Sequence, residues 1–199
     1  MIDSSDITAV VLAGGKGSRM GGRDKGLVPL ANRPMIAHVL DALKPQVGNI
    51  VISANRNLPL YRRFGFPVIS DEQDGYQGPL AGLLSAMRHI STSWMLCVPC
   101  DAPLLPGNLA TRLVQALEDK PGKLAVVHDG DKLQPAFALL SRHLEPDLEA
   151  YLNSGQRRLR QWCMNHGPAL ADFSDMPERF ANINDPRELQ KILDALLTD

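Results

Sequence analysis

The sequence lacks an excess of charge of either sign. Its 199 residues include 21 Lys and Arg and 22 Asp and Glu, which gives a formal net charge of -1 at pH 7. A protein that holds nucleic acid or an anionic membrane through its overall electric field is strongly basic, so this balance argues against both partners. Any phosphate binding must therefore come from a local cluster of residues.

Long hydrophobic runs and a set of paired cysteines are also missing. The first apolar run ends at Ala13, far short of the ~20 residues that span a bilayer, and acidic residues precede it where a signal peptide is basic. The three cysteines, an odd number, fit a reducing compartment. Cys97 and Cys100 form a CxxC without a second Cys or His pair to complete a zinc site, so we expect two partly buried thiols at a strand end. A soluble, cytoplasmic protein is predicted.

Short apolar runs rich in β-branched residues alternate with helical patterns along the chain. They are too short and too continuous for amphipathic helices and are typical of strands covered on both faces: residues 7–13, 49–54, 67–70, 93–98 and 124–128. The alternation predicts an α/β fold, a three-layer α/β/α, Rossmann-like domain with a mostly parallel sheet. Because no linker or repeat interrupts the pattern, we expect residues 1–199 to form one domain.

Prolines and capping residues mark the expected helix starts. Pro34 and Pro79 can each occupy a first helical position, and a third helix is expected to begin near Gly107. Asp185 is a typical N-cap for a last helix. The sequence Asp-Gly-Asp at 129–131 predicts a tight turn between two strands, which would add a late antiparallel hairpin strand to the sheet.

The most unusual segment follows the first strand. Residues 12–26, LAGGKGSRMGGRDKG, hold six glycines and four basic residues. Glycines let the backbone turn sharply and approach a ligand, and a loop whose N–H groups converge binds anions. This composition predicts a phosphate-binding loop.

Two common phosphate-loop motifs fail on this segment. In the dinucleotide pattern GxGxxG, Met20 stands at the third glycine's place. In the P-loop pattern GxxxxGK[ST], Arg23 and Asp24 replace the required Lys and Ser or Thr. A redox enzyme that binds a nicotinamide dinucleotide and a P-loop GTPase are therefore both disfavoured.

The loop does resemble the opening signature of nucleotidyltransferases, in which LAGG is followed by a glycine, an arginine and, later, a lysine. Sugar nucleotidyltransferases usually place a leucine after that arginine. The continuation RMGG and then DKG is instead similar to the molybdenum cofactor guanylyltransferases. Further segments agree in order and spacing, so the resemblance covers most of the chain: ISANR at 52–56, SDEQDGYQGPLAG at 70–82, CVPCDAP at 97–103 and NINDP at 182–186.

The resemblance implies a reaction and its participants. GMP would pass from GTP to the terminal phosphate of molybdopterin, with or without molybdenum, releasing pyrophosphate and forming molybdopterin guanine dinucleotide. Mg²⁺ is the implied cofactor. Other proteins of molybdenum cofactor biosynthesis and acceptor molybdoenzymes are implied partners, and a monomer is expected.

Three side chains are the expected catalytic group. Asp101 follows a strand-like run, so it should emerge at the carboxyl edge of the sheet, where α/β proteins bind ligands. We expect it to hold Mg²⁺, which prefers one or two carboxylates together with phosphate oxygens and water. Lys25 and Arg19 would steady the triphosphate as pyrophosphate leaves. The alternatives are an aspartate that caps a helix or turn, and solvated loop cations.

Several further residues are expected around GTP. The resemblance implies that backbone groups of Leu12, Ala13 and Gly14 hold the base and ribose, and Gly15 is also expected to bind GTP. For Asp71 the resemblance implies a GTP contact, either to the donor edge of guanine or near the metal, and the alternative is an aspartate that only initiates a turn.

Other positions bear on the base and on a helix start. Ser53 stands where relatives often carry asparagine and cannot copy an amide's two-point contact, so base selection is open here and Asn55 could share it. Gly78, Pro79 and Gly82 would bring a helix N-terminus beside the phosphates or base of GTP, and the alternative is an ordinary loop-to-helix start.

The C-terminal third is expected to bind the second substrate. Arg157 and Arg158 suit an anionic pterin phosphate, and Asn182 and Asn184 precede the last helix. The alternative is that these arginines, with Arg160, belong to the exposed face of a helix.

The alternative functions keep parts of this picture. A related nucleotidyltransferase would use CTP with molybdopterin, or a sugar phosphate as acceptor. A non-catalytic nucleotide-binding protein would bind GTP without releasing pyrophosphate.

Overall fold

We describe residues 2–13, 24–71 and 78–180 from a computed structural model. The strands of this part are β1 (Ile7–Leu12), β2 (Pro29–Leu30), β3 (Arg33–Pro34), β4 (Asn49–Ser53), β5 (Val68–Ile69), β6 (Trp94–Pro99), β7 (Leu124–His128), β8 (Leu133–Ser141) and β9 (Ala169–Asp172). The α-helices are α1 (Met35–Leu43), α2 (Leu58–Arg62), α3 (Pro79–His89), α4 (Leu109–Asp119), α5 (Glu145–Asn153) and α6 (Leu159–Asn165).

One central sheet organises the described chain. Its strand order is β5-β4-β1-β6-β8-β7-β9, and β2 pairs with β3 in a separate hairpin. Strand β1 runs parallel to β4 and β6, β4 parallel to β5, and β7 parallel to β9. The predicted α/β class with a mostly parallel sheet is confirmed.

The antiparallel strand is β8, which pairs with both β6 and β7. It follows β7 through the Asp-Gly-Asp turn, so the predicted hairpin is confirmed. The strand lies inside the sheet, between β6 and β7, and does not extend an edge. Because β8 runs against β6, its first residues lie at the edge where β6 ends.

Helices cover both faces of this sheet. Alternate residues of β1 point to opposite sides, with Val10 in one apolar cluster and Ala9 and Val11 in the other. The cluster around Ala9 includes residues of α1 and α4, and the cluster around Val10 includes residues of α3, α5 and α6. The three layers explain the continuous apolar strands, because both faces of each central strand are buried.

Most predicted elements lie where the sequence placed them. The helix α3 begins at Pro79 as expected, and α4 begins at Leu109, close to Gly107. Pro34 is different: it precedes α1 as the N-cap with φ -56° and ψ 140° and is not the first helical residue. The reason is its pairing with Pro29 in the β2–β3 hairpin, which requires an extended backbone.

Other elements escaped the sequence analysis. The edge strand β9 is short and alternates buried and exposed residues, and α2, α5 and α6 have between five and nine residues. The helix expected from Asp185 lies outside the described residues, and the single domain over residues 1–199 stays a prediction. Within the described ranges, no helix is long and apolar enough to span a membrane.

Candidate active site

The carboxyl ends of β1, β4 and β6 meet at one edge of the sheet. The N–H of Ala13, just after β1, donates to the carbonyl of Ser53 on β4 at 2.7 Å, and the N–H of Cys100, just after β6, donates to the carbonyl of Leu12 at 3.1 Å. Asp101 is the next residue. The parallel register thus brings together the strand ends that the sequence singled out.

A cleft of about 240 Å³ opens at this edge. Every described residue of the expected GTP site lines it: Leu12, Ala13, Lys25, Ser53, Asn55, Asp71, Gly78, Gly82 and Asp101. These residues come from β1 and β4 with the residues that follow them, from the helical turn at 25–27, from α3 and its N-cap, and from the loops after β5 and β6. The fold thus gathers positions that lie far apart in the sequence. Gly14, Gly15 and Arg19 lie outside the described residues.

Lys25 and Asp101 form an ion pair in the cleft. The Nζ of Lys25 donates to Oδ2 of Asp101 at 2.8 Å, and the two side chains are 23% and 10% exposed. The cation and the carboxylate expected to act on the same phosphates are therefore already adjacent. An ion pair with so little solvent around it is screened weakly.

The donor set suits a magnesium ion that is shared with substrate. In the parts of the chain described, no group of three or more His, Cys, Asp or Glu residues could hold a metal ion by itself. Asp101 offers one carboxylate on the cleft wall. Because Mg²⁺ keeps water and phosphate oxygens as ligands, a single carboxylate beside a triphosphate fits it.

Asp71 is held by Asn55 through two hydrogen bonds. The Nδ2 of Asn55 donates to Oδ2 of Asp71 at 2.7 Å, and the backbone N–H of Asp71 donates to Oδ1 of Asn55 at 2.8 Å. The other carboxylate oxygen, Oδ1, is buried without a hydrogen-bond partner among the described residues. Burial raises the pKa of this carboxyl, partly offset by the Asn55 hydrogen bond. The site holds an acceptor that needs a donor.

Gly82 allows the first turn of α3 to approach the strand ends. A Cβ at this position would lie 2.8 Å from Oγ of Ser53 and 3.4 Å from Oδ1 of Asp71. Gly78, the N-cap of α3, has φ 84° and ψ -175°, which side-chain-bearing residues rarely adopt. Both glycines are thus required by geometry, and the N-terminal end of an eleven-residue helix lies at the cleft.

Five residues line the cleft without having been expected there: Asp24, Pro99, Cys100, Ala136 and Leu159. Asp24 directly precedes Lys25, and Pro99 and Cys100 are the two residues before Asp101. Ala136 arrives because β8 runs antiparallel to β6, and Leu159 arrives because α6 begins there. Neither carried a sequence signal.

The CxxC cysteines are buried more completely than expected. Cys97 is 0% and Cys100 6% exposed, and both thiols are free. Burial raises the pKa of each thiol, so both stay protonated and unreactive. This burial supports the interpretation of the pair as packing residues.

The expected pterin-binding arginines lie on a different, more open surface. Arg157 and Arg158 are exposed and line a shallow depression between α5 and α6. The guanidinium of Arg157 donates to the carbonyl of Leu152 at 2.7 Å and to that of Gln156 at 2.6 Å, so it closes the C-terminal end of α5. Arg158 directly precedes Leu159 of the cleft wall. Asn182 and Asn184 lie outside the described residues.

Comparison with known proteins identifies a matching family and full-length relatives of the chain. Residues 9–169 match the family described as MobA-like NTP transferase domain. A molybdenum cofactor guanylyltransferase of Shewanella sediminis is 48% identical over 193 residues, which cover 97% of this chain and 98% of that protein. The protein of the same name from Shewanella piezotolerans is 45% identical, with 97% and 95% of the two chains covered.

Solved structures share the fold at low sequence identity. Molybdopterin-guanine dinucleotide biosynthesis protein A from Archaeoglobus fulgidus superposes with a TM-score of 0.81 at 21% identity, covering 96% of this chain and 100% of that one. A 4-diphosphocytidyl-2C-methyl-D-erythritol synthase from Anaerococcus prevotii reaches 0.77 at 11% identity, with 100% and 98% covered. Likeness at this level of identity concerns the arrangement of the chain.

Proposed function

The chain belongs to the molybdenum cofactor guanylyltransferases within the MobA-like NTP transferase family, and on that premise we propose that it transfers GMP from GTP to molybdopterin in molybdenum cofactor biosynthesis. The observation that carries this proposal is the Lys25–Asp101 pair at 2.8 Å in a cleft that also holds Asp71. A cation, a carboxylate and a base-reading acceptor in one place suit a nucleoside triphosphate.

The reaction is an in-line substitution at phosphorus. A terminal phosphate oxygen of molybdopterin forms a bond to the α-phosphorus of GTP, the bond from that phosphorus to the oxygen bridging to the β-phosphate breaks, and pyrophosphate leaves with the electron pair. Positioning and charge stabilisation account for most of the acceleration in such transfers. No covalent enzyme intermediate is needed.

Lys25 and Asp101 divide the work on the phosphates. When bound, Mg²⁺ supplies charge neutralisation on the phosphate oxygens, and Asp101 is the residue that would hold it. Lys25, held beside Asp101, would stabilise the negative charge that develops on the departing pyrophosphate. The glycine-rich segment before Asp24, with Arg19, is proposed to add backbone N–H groups and a second cation.

Asp71 is proposed to select guanine. Its unsatisfied Oδ1 is matched by the N1–H or N2–H donors of guanine, which cytosine cannot present in the same arrangement. Asn55 keeps Oδ2 occupied and thus leaves Oδ1 for the base. Ser53 is buried beneath Gly82 and shapes the wall at this point.

The acceptor is proposed to enter from the α6 side. Arg158 stands one residue before Leu159 on the cleft wall, so its guanidinium can reach a phosphate there. Arg157, Asn182 and Asn184 are kept as further candidates. We also propose that the protein is a cytoplasmic monomer, in keeping with its free, buried thiols, and that it delivers its product to molybdoenzymes.

The proposal is tested with purified protein, Mg²⁺, molybdopterin and each of GTP, CTP, ATP and UTP in turn. Pyrophosphate release and the dinucleotide product are measured, and chelation of the metal is the control for cofactor dependence. We expect turnover with GTP alone, abolished by the chelator and restored by Mg²⁺. Turnover with CTP would refute the guanine assignment, and GTP binding without pyrophosphate release would indicate a non-catalytic binder.

A further inference from the structure

Asp24, directly before Lys25, is a buried carboxylate to which the chemistry above gives no part. Its side chain is 5% exposed. The hydroxyl of Tyr61 donates to its Oδ1 at 2.5 Å, and Nδ2 of Asn57 donates to its Oδ2 at 2.9 Å. Arg56 places Nε 3.5 Å from the same Oδ2. A buried charge needs such partners, and here these three partners of the carboxylate all lie within residues 56–61.

The two hydrogen-bond donors belong to one short segment after β4. Asn57 has φ 53° and ψ 28°, a left-handed conformation that asparagine tolerates better than most residues. It stands at the N-cap of α2, yet its side chain makes no capping hydrogen bond and reaches Asp24. Tyr61 lies one helical turn further on. The segment is therefore shaped toward the carboxylate rather than toward its own helix.

Tyr61 also contacts the surroundings of the Lys25–Asp101 pair. The residue is 0% exposed. A Cβ on Gly26 would lie 2.8 Å from its hydroxyl oxygen and 3.2 Å from Sγ of Cys100. The hydroxyl thus packs against the backbone that follows Lys25 and beside the residue that precedes Asp101. Burial raises the pKa of the phenol, so it remains a donor at every working pH.

We propose that Asp24, Asn57 and Tyr61 form a positioning clamp that sets Lys25 against Asp101 for the transition state of nucleotidyl transfer. This inference rests on the function proposed above, since it concerns the same cleft. Tyr61 and Asn57 act through Asp24, and Asp24 acts on Lys25 through the backbone that joins them. Because a displacement of ~1 Å can cost ~100-fold in rate, such a clamp affects kcat more than nucleotide affinity.

Two variants remove the donors with little other change. Tyr61→Phe loses one oxygen atom and keeps the buried ring. Asn57→Gly loses the amide, while glycine readily adopts the left-handed backbone. We expect each to lower kcat by about 10-fold or more, with KM for GTP within about 3-fold of wild type.

The matched control removes a buried hydroxyl far from the cleft. Thr8, 3% exposed, shares a 2.7 Å hydrogen bond with Thr92 at the opposite end of β1. Thr8→Val should also lower the melting temperature, although by less than Tyr61→Phe, because its lost hydrogen bond joins two neutral hydroxyls whereas that of Tyr61 reaches a carboxylate. Its kcat should equal that of wild type, which separates positioning from loss of stability.

A second readout follows Lys25 directly. The folded proteins are labelled with a water-soluble acylating reagent that reacts with amines, and the rate of acylation at Lys25 is then measured by peptide mass spectrometry. We expect faster acylation in Tyr61→Phe and Asn57→Gly, because the lysine leaves Asp101 more often, and an unchanged rate in Thr8→Val.

The outcomes decide between the clamp and the function separately. If folded Tyr61→Phe and Asn57→Gly kept kcat within about 2-fold of wild type, or if Thr8→Val lost as much activity, the clamp would be refuted. If wild-type protein formed no dinucleotide from GTP, the proposed function would fail instead. The acylation rates would then still support or refute the clamp.

Discussion

Two lysine–aspartate pairs in this protein have the same length and very different surroundings. Lys25–Asp101 and Lys44–Asp41 both place Nζ 2.8 Å from a carboxylate oxygen. The first pair has side chains 23% and 10% exposed at the carboxyl ends of the strands, and the second has side chains 55% and 46% exposed at the C-terminal end of α1. Contact distance alone therefore says little about function. Position in the fold and access of solvent separate the two.

The same contrast extends to the neighbours of each pair. Around Lys25–Asp101, the buried carboxylate of Asp24 is held by the buried hydroxyl of Tyr61, and the half-buried carboxylate of Asp71 is held by the exposed amide of Asn55. Around Asp41, the partners are the exposed Arg33 and Lys44, which hold its pKa below the ordinary value. Exposed pairs contribute at most about 1 kcal/mol, whereas poorly solvated charges stabilise developing charge strongly. Substitutions inside and outside the cleft should differ accordingly.

The largest effect is expected when Asp101 is replaced by asparagine, and the same replacement of Asp41 is its control. Asp101→Asn should reduce kcat for dinucleotide formation by roughly 1000-fold or more, because Asp101 is both the proposed metal ligand and the partner of Lys25, and the substitution removes its charge. Asp41→Asn should leave kcat unchanged and shift stability by no more than about 1 kcal/mol. Steady-state kinetics and thermal melting measure both. Equal activity of the two variants would remove the distinction between the pairs.

Glycines give a second version of the comparison. Gly82→Ala places a methyl group 2.8 Å from Oγ of Ser53, whereas Gly107→Ala has nothing within 4 Å of its Cβ. Overpacking should lower stability by about 1–3 kcal/mol. Because Ser53 or the first turn of α3 must move to relieve the contact, and both line the cleft, KM for GTP should also rise, by roughly 10-fold, in Gly82→Ala, with little change in Gly107→Ala. Titration of GTP turnover checks this. An unchanged KM in Gly82→Ala would mean that α3 does not approach the nucleotide.

Asp71→Asn tests whether the unsatisfied acceptor reads guanine. Loss of a charged acceptor should lower kcat/KM for GTP by about 10-fold and narrow its advantage over CTP. Because burial raises the pKa of Asp71, the wild-type kcat/KM should fall as pH is lowered through a value above that of ordinary aspartate. The variant should lack this limb of the profile. Retained preference for GTP with an unaltered profile would contradict the assignment.

The effect of Asp71 on stability tests its raised pKa independently of activity. A raised folded-state pKa means that the protonated carboxyl is favoured in the fold, so its contribution to stability is lost as pH rises through that pKa. Asparagine is neutral at every pH and avoids this loss. Asp71→Asn should therefore melt at the same temperature as wild type or higher at neutral pH, although it is the poorer enzyme.

The sequence predicted the parts of this site that follow from strand ends. Asp101 could be placed because a buried parallel strand leaves a continuous apolar run, and the residue after that run must lie at the carboxyl edge. The hydrogen bond between Tyr61 and Asp24 could not be foreseen, because it joins positions 37 residues apart. It depends on where α2 packs, and a five-residue helix leaves no periodic signal.

The contacts of the arginines at the proposed acceptor site could not be predicted from the sequence either. A cluster of arginines in the sequence suggested phosphate binding, but charge composition does not say what a guanidinium contacts. The guanidinium of Arg157 donates to two backbone carbonyls near the end of α5. Ala136 reaches the cleft only because β8 is inserted between β6 and β7, which no local pattern predicts.

The smallest expected effect concerns these exposed arginines. Arg158→Ala should raise KM for molybdopterin by about 3-fold and leave KM for GTP and kcat unchanged, since an exposed cation contributes little binding energy. Arg157→Ala should instead lower the melting temperature, because the carbonyl of Gln156 loses its guanidinium donor and that of Leu152 keeps the N–H of Gly155 but loses the guanidinium. Kinetics with molybdopterin as the varied substrate and thermal melting separate the two roles. If Arg158→Ala altered KM for GTP and not that for molybdopterin, the surface beside α6 would belong to the nucleotide half of the cleft, and the acceptor would have to enter elsewhere.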